Sequence, residues 1–360
     1  MITTPAAHTG NVRTGATARP APAELAGVDA PPRRSALAGL GAYLPSHEIT
    51  NRDLEAMVET SDEWILARTG IRSRRRAARE DATSDLAAVA ARAAMADAGI
   101  GPADVDLLLV ATATPDTPVP ATSCRVQELL EMGETGAMDV GAGCSGFLYA
   151  LHTADAFIRG GVHRTILVVG AECLTRVTDY TDRRTCILFG DGAGACVLTG
   201  RGPLELIHSH VGADGTQRDL IHIPAGGSRV PASSDTVAAG QHFLKLDGRR
   251  VFKHAVRRMA EAAQRAMAAT GLTTDDFAAV IAHQANERII RAVGEQLGLT
   301  DEQVVLDVAE TGNTSAASVP IALTHARDAR GFEPGRHVML LAFGAGLTWA
   351  VQVLRVTGES

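Results

Sequence analysis

Aromatic side chains are scarce: Phe, Trp and Tyr together make up 4% of the 360 residues. A core in this chain must therefore be built from Ala, Val, Leu and Ile. No apolar run approaches the length of a membrane-spanning helix, which argues against insertion in a bilayer. Positive charge is not in excess either. The net charge of −7 argues against a general nucleic-acid binder, which needs a basic face. Cysteines fall at Cys124, Cys144, Cys173, Cys186 and Cys196, an odd count with no CxxC pair, and no signal-peptide pattern precedes them. That usage points to reduced thiols in a cytoplasmic protein without a zinc or other metal site, and the four cysteines other than Cys144 look like small core residues.

The composition that remains, 46% hydrophobic and 21% charged, is typical of a soluble enzyme, and 360 residues suffice for two ordinary domains or one large layered one. Residues 1–34 are rich in Ala, Thr, Pro, Gly and Arg without periodicity. A disordered extension is the favoured reading, although an organelle transit peptide shares this composition. Beyond it the chain echoes itself. AMADAGIGPADVDLLLVA from Ala94 has the pattern of AMAATGLTTDDFAAVIAH from Ala266, and FGDGAGACVL from Phe189 has that of FGAGLTWAVQVL from Phe343. Between these echoes each half carries an Ala-rich helical stretch, Cys144–Ile158 and Ser315–Ala329, followed by an apolar strand. Alternating helices and buried strands predict an α/β fold of two duplicated halves, 35–205 and 206–360, with a site where they meet.

In DVGAGCSGFLYAL the strand-like run ends, a GAG turn follows and a helical pattern begins on Cys144. The thiol is therefore expected on the first turn of a buried helix, where unpaired N–H groups and the helix dipole favour a thiolate. From this segment alone, a buried structural cysteine is an equal reading. His283 stands where the apolar run AVIA gives out, and Asn313 stands in a turn just before the second helical stretch. Either residue alone would be ordinary. Cys, His and Asn, each at a strand-to-helix junction of a duplicated fold, form a set with a shared chemical use.

These residues sit in GAGCSGF, HQANERI and GNTSAAS, with FGAGLTW closing the chain. With those four motifs, the stretch from about Ser35 to about Val356 resembles the β-ketoacyl-ACP synthase III family, the condensing enzymes that start fatty-acid synthesis. The resemblance implies a thiolase-like fold layered α-β-α-β-α. It also implies that Cys144 takes an acyl group from acyl-CoA and that His283 and Asn313 stabilise the enolate formed when malonyl-ACP loses carbon dioxide. Backbone N–H groups of Cys144 and of the Phe343–Gly346 turn would hold the oxyanion. Ala345 there replaces a residue that is often Gly in the family. Neither a metal nor another cofactor is implied.

By the same resemblance Trp64, Arg68 and Arg183 would hold the nucleotide end of CoA. Asn286, Gly248 and Phe252 would line the pantetheine tunnel, and Val119 would floor the acyl pocket across a homodimer interface. The arginine run from Arg72 to Arg79 reads as a solvated face. Acyl carrier protein, being acidic, would dock on Lys253, Arg257, Arg258, Arg288 and Arg291, a face diluted here by Glu287, Glu295 and Gln296.

Rival readings differ in residues. A degradative thiolase needs a second catalytic cysteine near the C-terminus, and none follows Cys196. A non-catalytic partner subunit would lack the nucleophile. A starter-unit enzyme or acyltransferase of secondary metabolism stays open, because the motifs do not name the acyl chain.

Overall fold

The computed structural model describes residues 33–359, so nearly all of the expected N-terminal extension lies outside the described residues. Nine strands form one continuous sheet, in the spatial order Phe277–Ala282, His337–Gly344, Thr348–Val356, Leu204–Ala213, Ala36–Tyr43, Asp191–Thr199, Ile166–Cys173, Leu107–Ala111 and Gly136–Val140.

The duplication is visible in the direction of pairing. Leu107–Ala111 runs parallel to both of its neighbours, Gly136–Val140 and Ile166–Cys173. Ile166–Cys173 then pairs antiparallel with Asp191–Thr199, which pairs antiparallel with Ala36–Tyr43. In the second set, Phe277–Ala282 is parallel to His337–Gly344 and, through an isolated bridge, to Val304. Two antiparallel pairings follow again, to Thr348–Val356 and on to Leu204–Ala213. The two sets join edge to edge through Ala36 and Leu37 against Glu205 and Leu204.

Side-chain alternation along these strands makes the layers. Leu107, Leu109 and Ala111 face the central helices Gly146–Arg159 and Ser318–Arg330, whereas Leu108 and Val110 face the outer helix Thr83–Asp97. In the second set Ala279 and Ile281 face the same central helices, and Val280 and Ala282 face the outer helices Gly248–Thr270 and Glu287–Leu297. Buried on both sides, the strand LLLVA needs no polar alternation. The result is the α-β-α-β-α architecture.

Both central helices start later than their sequence patterns do. Each is preceded by a 3₁₀ turn, Gly143–Ser145 in one and Ser315–Ala317 in the other. Gly143 and Ser315 take left-handed φ values of 54° and 49°, so the chain enters each helix through a tight bend. Two further expectations need correction. Arg74 is not solvated: it is 1% exposed, and its guanidinium donates to Asn51 Oδ1 and to the carbonyls of Ile49 and Ile187. It therefore clamps the small antiparallel pair of His47–Thr50 and Ser73–Arg76 onto the segment leading to Phe189. Cys124, read with the core cysteines, is exposed.

Candidate active site

The helix entry carrying Cys144 meets the turn after His337–Gly344, and two glycines permit the contact. A Cβ at Gly344 would lie 2.6 Å from the Cys144 nitrogen, and one at Gly143 would lie 3.0 Å from the Ala345 nitrogen. Thr348 Oγ1 ties the two turns together, 2.9 Å from the Ala142 carbonyl oxygen and 3.0 Å from that of Ala345. The backbone N–H groups of Cys144 and Ala345 thus belong to adjoining turns. Among the described residues, Glu131 and Ser315 are the non-glycine positions with positive φ, so Ala345 in FGAG carries no left-handed strain.

His283 extends the strand Phe277–Ala282, its backbone N–H donating to the Leu341 carbonyl at 2.7 Å. Its ring is buried, with Nδ1 2.6 Å from Ser318 Oγ. Burial lowers the imidazole pKa to about 4, so the ring is neutral at pH 7. Asn313 is fixed at three points. Its N–H donates to the Leu188 carbonyl at 2.8 Å, its own carbonyl accepts from Gly190, and Oδ1 accepts from the Ser315 N–H at 2.8 Å. That leaves its amide nitrogen as the free donor.

Cys144, His283, Asn313 and Ala345 all border one cavity of about 160 Å³, whose other walls include Leu174, Phe189, Leu244, Met259 and Phe343. The expected thiolate is not the resting form. Burial pushes the Cys144 thiol up to about 11, Ser315 as a hydrogen-bond partner opposes the rise and the Glu172 carboxylate adds to it. Desolvation of the charge outweighs the helix entry.

A wide cleft of about 1160 Å³ leads to this cavity. Gly248, Phe252 and Asn286 border both spaces, together with Leu188 and Leu246. At the outer end stand Trp64, Arg68 and Arg183, with the guanidinium carbons 4.5 Å and 5.3 Å from the Trp64 ring centroid. Asn286 is engaged at the junction, its Nδ2 donating to the Arg68 carbonyl at 3.0 Å and its Oδ1 accepting from the Arg288 N–H at 2.9 Å.

The basic residues divide. Lys253 and Arg288 border the cleft, with no carboxylate within salt-bridge distance among the described residues. Arg257 lies 4.0 Å from Glu261, Arg258 pairs with Asp214 and Glu261, and Arg291 pairs with Glu287 and Asp301. Val119 borders neither space and is 84% exposed in the single chain.

Residues 138–215 match the family model for 3-oxoacyl-[acyl-carrier-protein] synthase III, and residues 267–356 match the model for its C-terminal region. The β-ketoacyl-[acyl-carrier-protein] synthase III of Roseiflexus castenholzii is 46% identical over 322 residues, which cover 89% of this chain and 98% of that protein. The chain belongs to the β-ketoacyl-[acyl-carrier-protein] synthase III family. It is a condensing enzyme of the acyltransferase type. The crystal structure of the Aquifex aeolicus synthase III aligns with a TM-score of 0.82 at 40% identity, covering 89% of this chain and 99% of that one. The priming β-ketosynthase of the R1128 polyketide pathway aligns with a TM-score of 0.84 at 36% identity, covering 93% and 100%.

Three polar residues of the synthase escaped the reading of its sequence. Ser318 orients His283, and Ser315 neighbours Cys144. Glu172, fully buried, accepts from Thr114 Oγ1 at 2.7 Å and from the Ala113 N–H at 3.1 Å. Ser315 and Ser318 lie inside GNTSAAS, where the spacing to Asn313 could have flagged them. Glu172 is an acid at the end of the apolar run ILVVGA, and that break in pattern was its only signal.

Proposed function

We propose that this synthase joins an acyl group, taken from acyl-CoA onto Cys144, to malonyl-ACP with loss of carbon dioxide. The product is the first β-ketoacyl-ACP of fatty-acid synthesis. The observation that carries this reading is the convergence of Cys144, His283 and Asn313 on one apolar cavity at the foot of a long cleft. CoA and the carrier protein share a flexible pantetheine arm, and one cleft serves both in turn. Trp64, Arg68 and Arg183 take the nucleotide end, while Gly248, Phe252 and Asn286 flank the arm.

Neutral donors suit the chemistry. His283 and the Asn313 amide can hydrogen-bond the thioester oxygen as the carboxylate departs, stabilising the enolate without a proton acidic enough to quench it early. The carbanion then attacks the acyl carbon on Cys144, and the N–H groups of Cys144 and Ala345 receive the oxyanion. On this reading no cofactor takes part in the sequence. We assign carrier-protein docking to Lys253 and Arg288, with Arg257 and Arg291 as partly neutralised neighbours. Val119, so exposed in one chain, is assigned to a homodimer interface. Five free thiols accord with the cytoplasm.

Intact-protein mass spectrometry after mixing the enzyme with a panel of acyl-CoAs tests this. An acyl mass increment absent from Cys144→Ala supports it, and loss of the increment on adding malonyl-ACP completes it. Failure of every acyl-CoA to load overturns it. The likeness to the R1128 priming ketosynthase supports a second reading, in which the starter serves a polyketide. The identity of the best-loaded chain decides between them.

A further inference from the structure

Buried beside His283 lies an amide that the reaction described above does not use. Gln284 is 0% exposed, and its side chain makes every hydrogen bond an amide can make. Nε2 donates to the Ala282 carbonyl at 2.7 Å and to the Val305 carbonyl at 3.2 Å. Oε1 accepts from the N–H groups of Asp307 at 2.7 Å and Val308 at 3.1 Å. Two carbonyls on one side and two N–H groups on the other fix which end of the amide is nitrogen. The bridge between Val280 and Val304 is flanked by one last backbone bond, from the Val305 N–H to the Val280 carbonyl at 3.1 Å. Beyond that point the Gln284 side chain takes the place of the strand ladder.

Both ends of this amide lead to the site. Gln284 follows His283 in the chain, and its backbone N–H donates at 3.3 Å to Ser318 Oγ, which lies 2.6 Å from His283 Nδ1. Asp307 and Val308 open the helical turn Val308–Thr311, which the Gly312 N–H closes on the Val308 carbonyl at 3.0 Å, and Asn313 comes next. We propose that Gln284 is a positioning residue that sets His283 and Asn313 relative to each other as the two donors to the enolate oxygen. A buried amide with every bond made is rigid, and two preorganised donors stabilise a developing charge only where they converge on it. Cys144 stands outside this arrangement, since its turn is tied to that of Ala345 through Thr348. This inference deepens the function proposed above and rests on His283 and Asn313 as the enolate-stabilising pair.

The test uses the full chain and separates the two half-reactions. Loading of Cys144 from acyl-CoA is followed by intact-protein mass spectrometry, and the second half-reaction by carbon dioxide released from malonyl-ACP. Gln284→Met keeps the volume and removes all four side-chain bonds. Gln284→Glu keeps the shape, and with only backbone partners its buried carboxyl stays protonated, retaining both accepted bonds and one of the two donated ones. Gln284→Met slows decarboxylation roughly tenfold to a hundredfold, as for a small misplacement of reacting groups, and Gln284→Glu slows it by a smaller factor. Steady-state condensation loses the same factors in kcat at unchanged KM for malonyl-ACP. Both variants load Cys144 at the wild-type rate.

Wild-type decarboxylation in the folded variants, or equal slowing of both half-reactions, overturns the positioning role. If Gln284→Met does not fold, Gln284→Glu decides alone. If neither folds, Gln284 serves the fold only and the proposal falls. If no acyl-CoA loads the wild type, decarboxylation by the unloaded enzyme still responds to Gln284→Glu, so the acyl-CoA reading falls while the positioning role stands. If the wild type does not decarboxylate malonyl-ACP at all, the roles given to His283 and Asn313 fall and take this one with them.

Discussion

Nδ1 of His283 lies 2.6 Å from the hydroxyl oxygen of Ser318, and that contact sets which ring nitrogen carries the proton. Ser318 Oγ accepts the Gln284 N–H at 3.3 Å, so its own hydrogen is available to Nδ1. Nδ1 then accepts and Nε2 keeps the proton as a donor toward the cavity. Ser318→Ala removes this bias and frees the ring. Condensation with malonyl-ACP should slow roughly tenfold or more, while loading of Cys144 from acyl-CoA keeps its wild-type rate. Separate single-turnover measurements of the two half-reactions check this, and equal slowing of both would sink it. The wild-type ring, at about 4, stays neutral down to mildly acid pH, so His283 imposes no acid limb on condensation between pH 6 and 8.

Gly344 and Ala345 make adjacent predictions of opposite size. A Cβ at 344 would stand 2.6 Å from the Cys144 backbone nitrogen, which cannot yield without moving Cys144. Gly344→Ala should lower stability by about 1–3 kcal/mol, in the range seen for overpacked sites, and reduce condensation at least tenfold. Ala345→Gly removes a methyl beside Gly143 at a position without positive φ. Its cost should be near that of added backbone freedom, about 0.4–1 kcal/mol, with activity retained. Thermal unfolding and condensation assays of the two proteins read both.

The stability of the fold should carry the signature of Glu172. Burial raises its carboxyl from the ordinary 4.5 to about 7, so between those pH values the folded protein holds a proton that the unfolded chain has released. Its contribution to stability is therefore present below about pH 4.5 and lost as pH rises through about 7. His283 works the other way: burial lowers its ring from 6.5 to about 4, so its contribution is lost as pH falls through that range. Comparing Glu172→Gln with the wild type cancels the contribution of His283. The stability difference, variant minus wild type, should grow more positive from pH 5 to pH 8. The growth is a few kcal/mol at most, since each tenfold change in proton affinity is worth roughly 1.4 kcal/mol. Urea unfolding at the two pH values measures it, and a pH-independent difference contradicts it.

The architecture, and the three residues Cys144, His283 and Asn313 that the structure brings to one cavity, were legible because each left a local trace. Buried parallel strands wrote uninterrupted apolar runs such as LLLVA, and Cys144, His283 and Asn313 each stand where such a run or its following turn ends. The ionisation state of Cys144 was misjudged because helix entry is a local feature and desolvation is not. The close approach of the Gly344–Ala345 turn from the far half contributes to that burial. Arg74 was misread for a similar reason. Within RSRRR it looks like its neighbours, and its partners Ile49, Asn51 and Ile187, the last over a hundred positions away, distinguish it. Glu172 accepts from the Ala316 N–H of the other half of the chain, a pairing no local pattern contains.

Trp64 is flanked by Arg68 at 4.5 Å and Arg183 at 5.3 Å from its ring centroid, a stacked cation site at the outer end of the cleft. On the function proposed above, an adenine ring would stack on this surface and leave the guanidinium groups for phosphates. Trp64→Ala should raise KM for acyl-CoA roughly tenfold, as for loss of an aromatic stack, with the maximal loading rate kept. Loading from an acyl-pantetheine, which lacks the nucleotide, should not change. An equal loss with both donors would place Trp64 in folding instead of recognition.

Lys253 and Arg288 border the cleft without an acidic partner among the described residues, whereas Arg257 and Arg291 lie beside carboxylates on their own helices. An acidic carrier protein gains most from charges that are not already neutralised, because a paired arginine must first give up its carboxylate. Lys253→Glu and Arg288→Glu should each raise KM for malonyl-ACP roughly tenfold, about 1.4 kcal/mol, and flatten its dependence on salt. Arg257→Glu and Arg291→Glu should each do so by a smaller factor. Self-acylation from acyl-CoA separates docking from damage to the shared tunnel, since a docking variant loads Cys144 at the wild-type rate. Equal effects of all four substitutions would mean that net charge steers the carrier protein, with no defined contact at the cleft mouth.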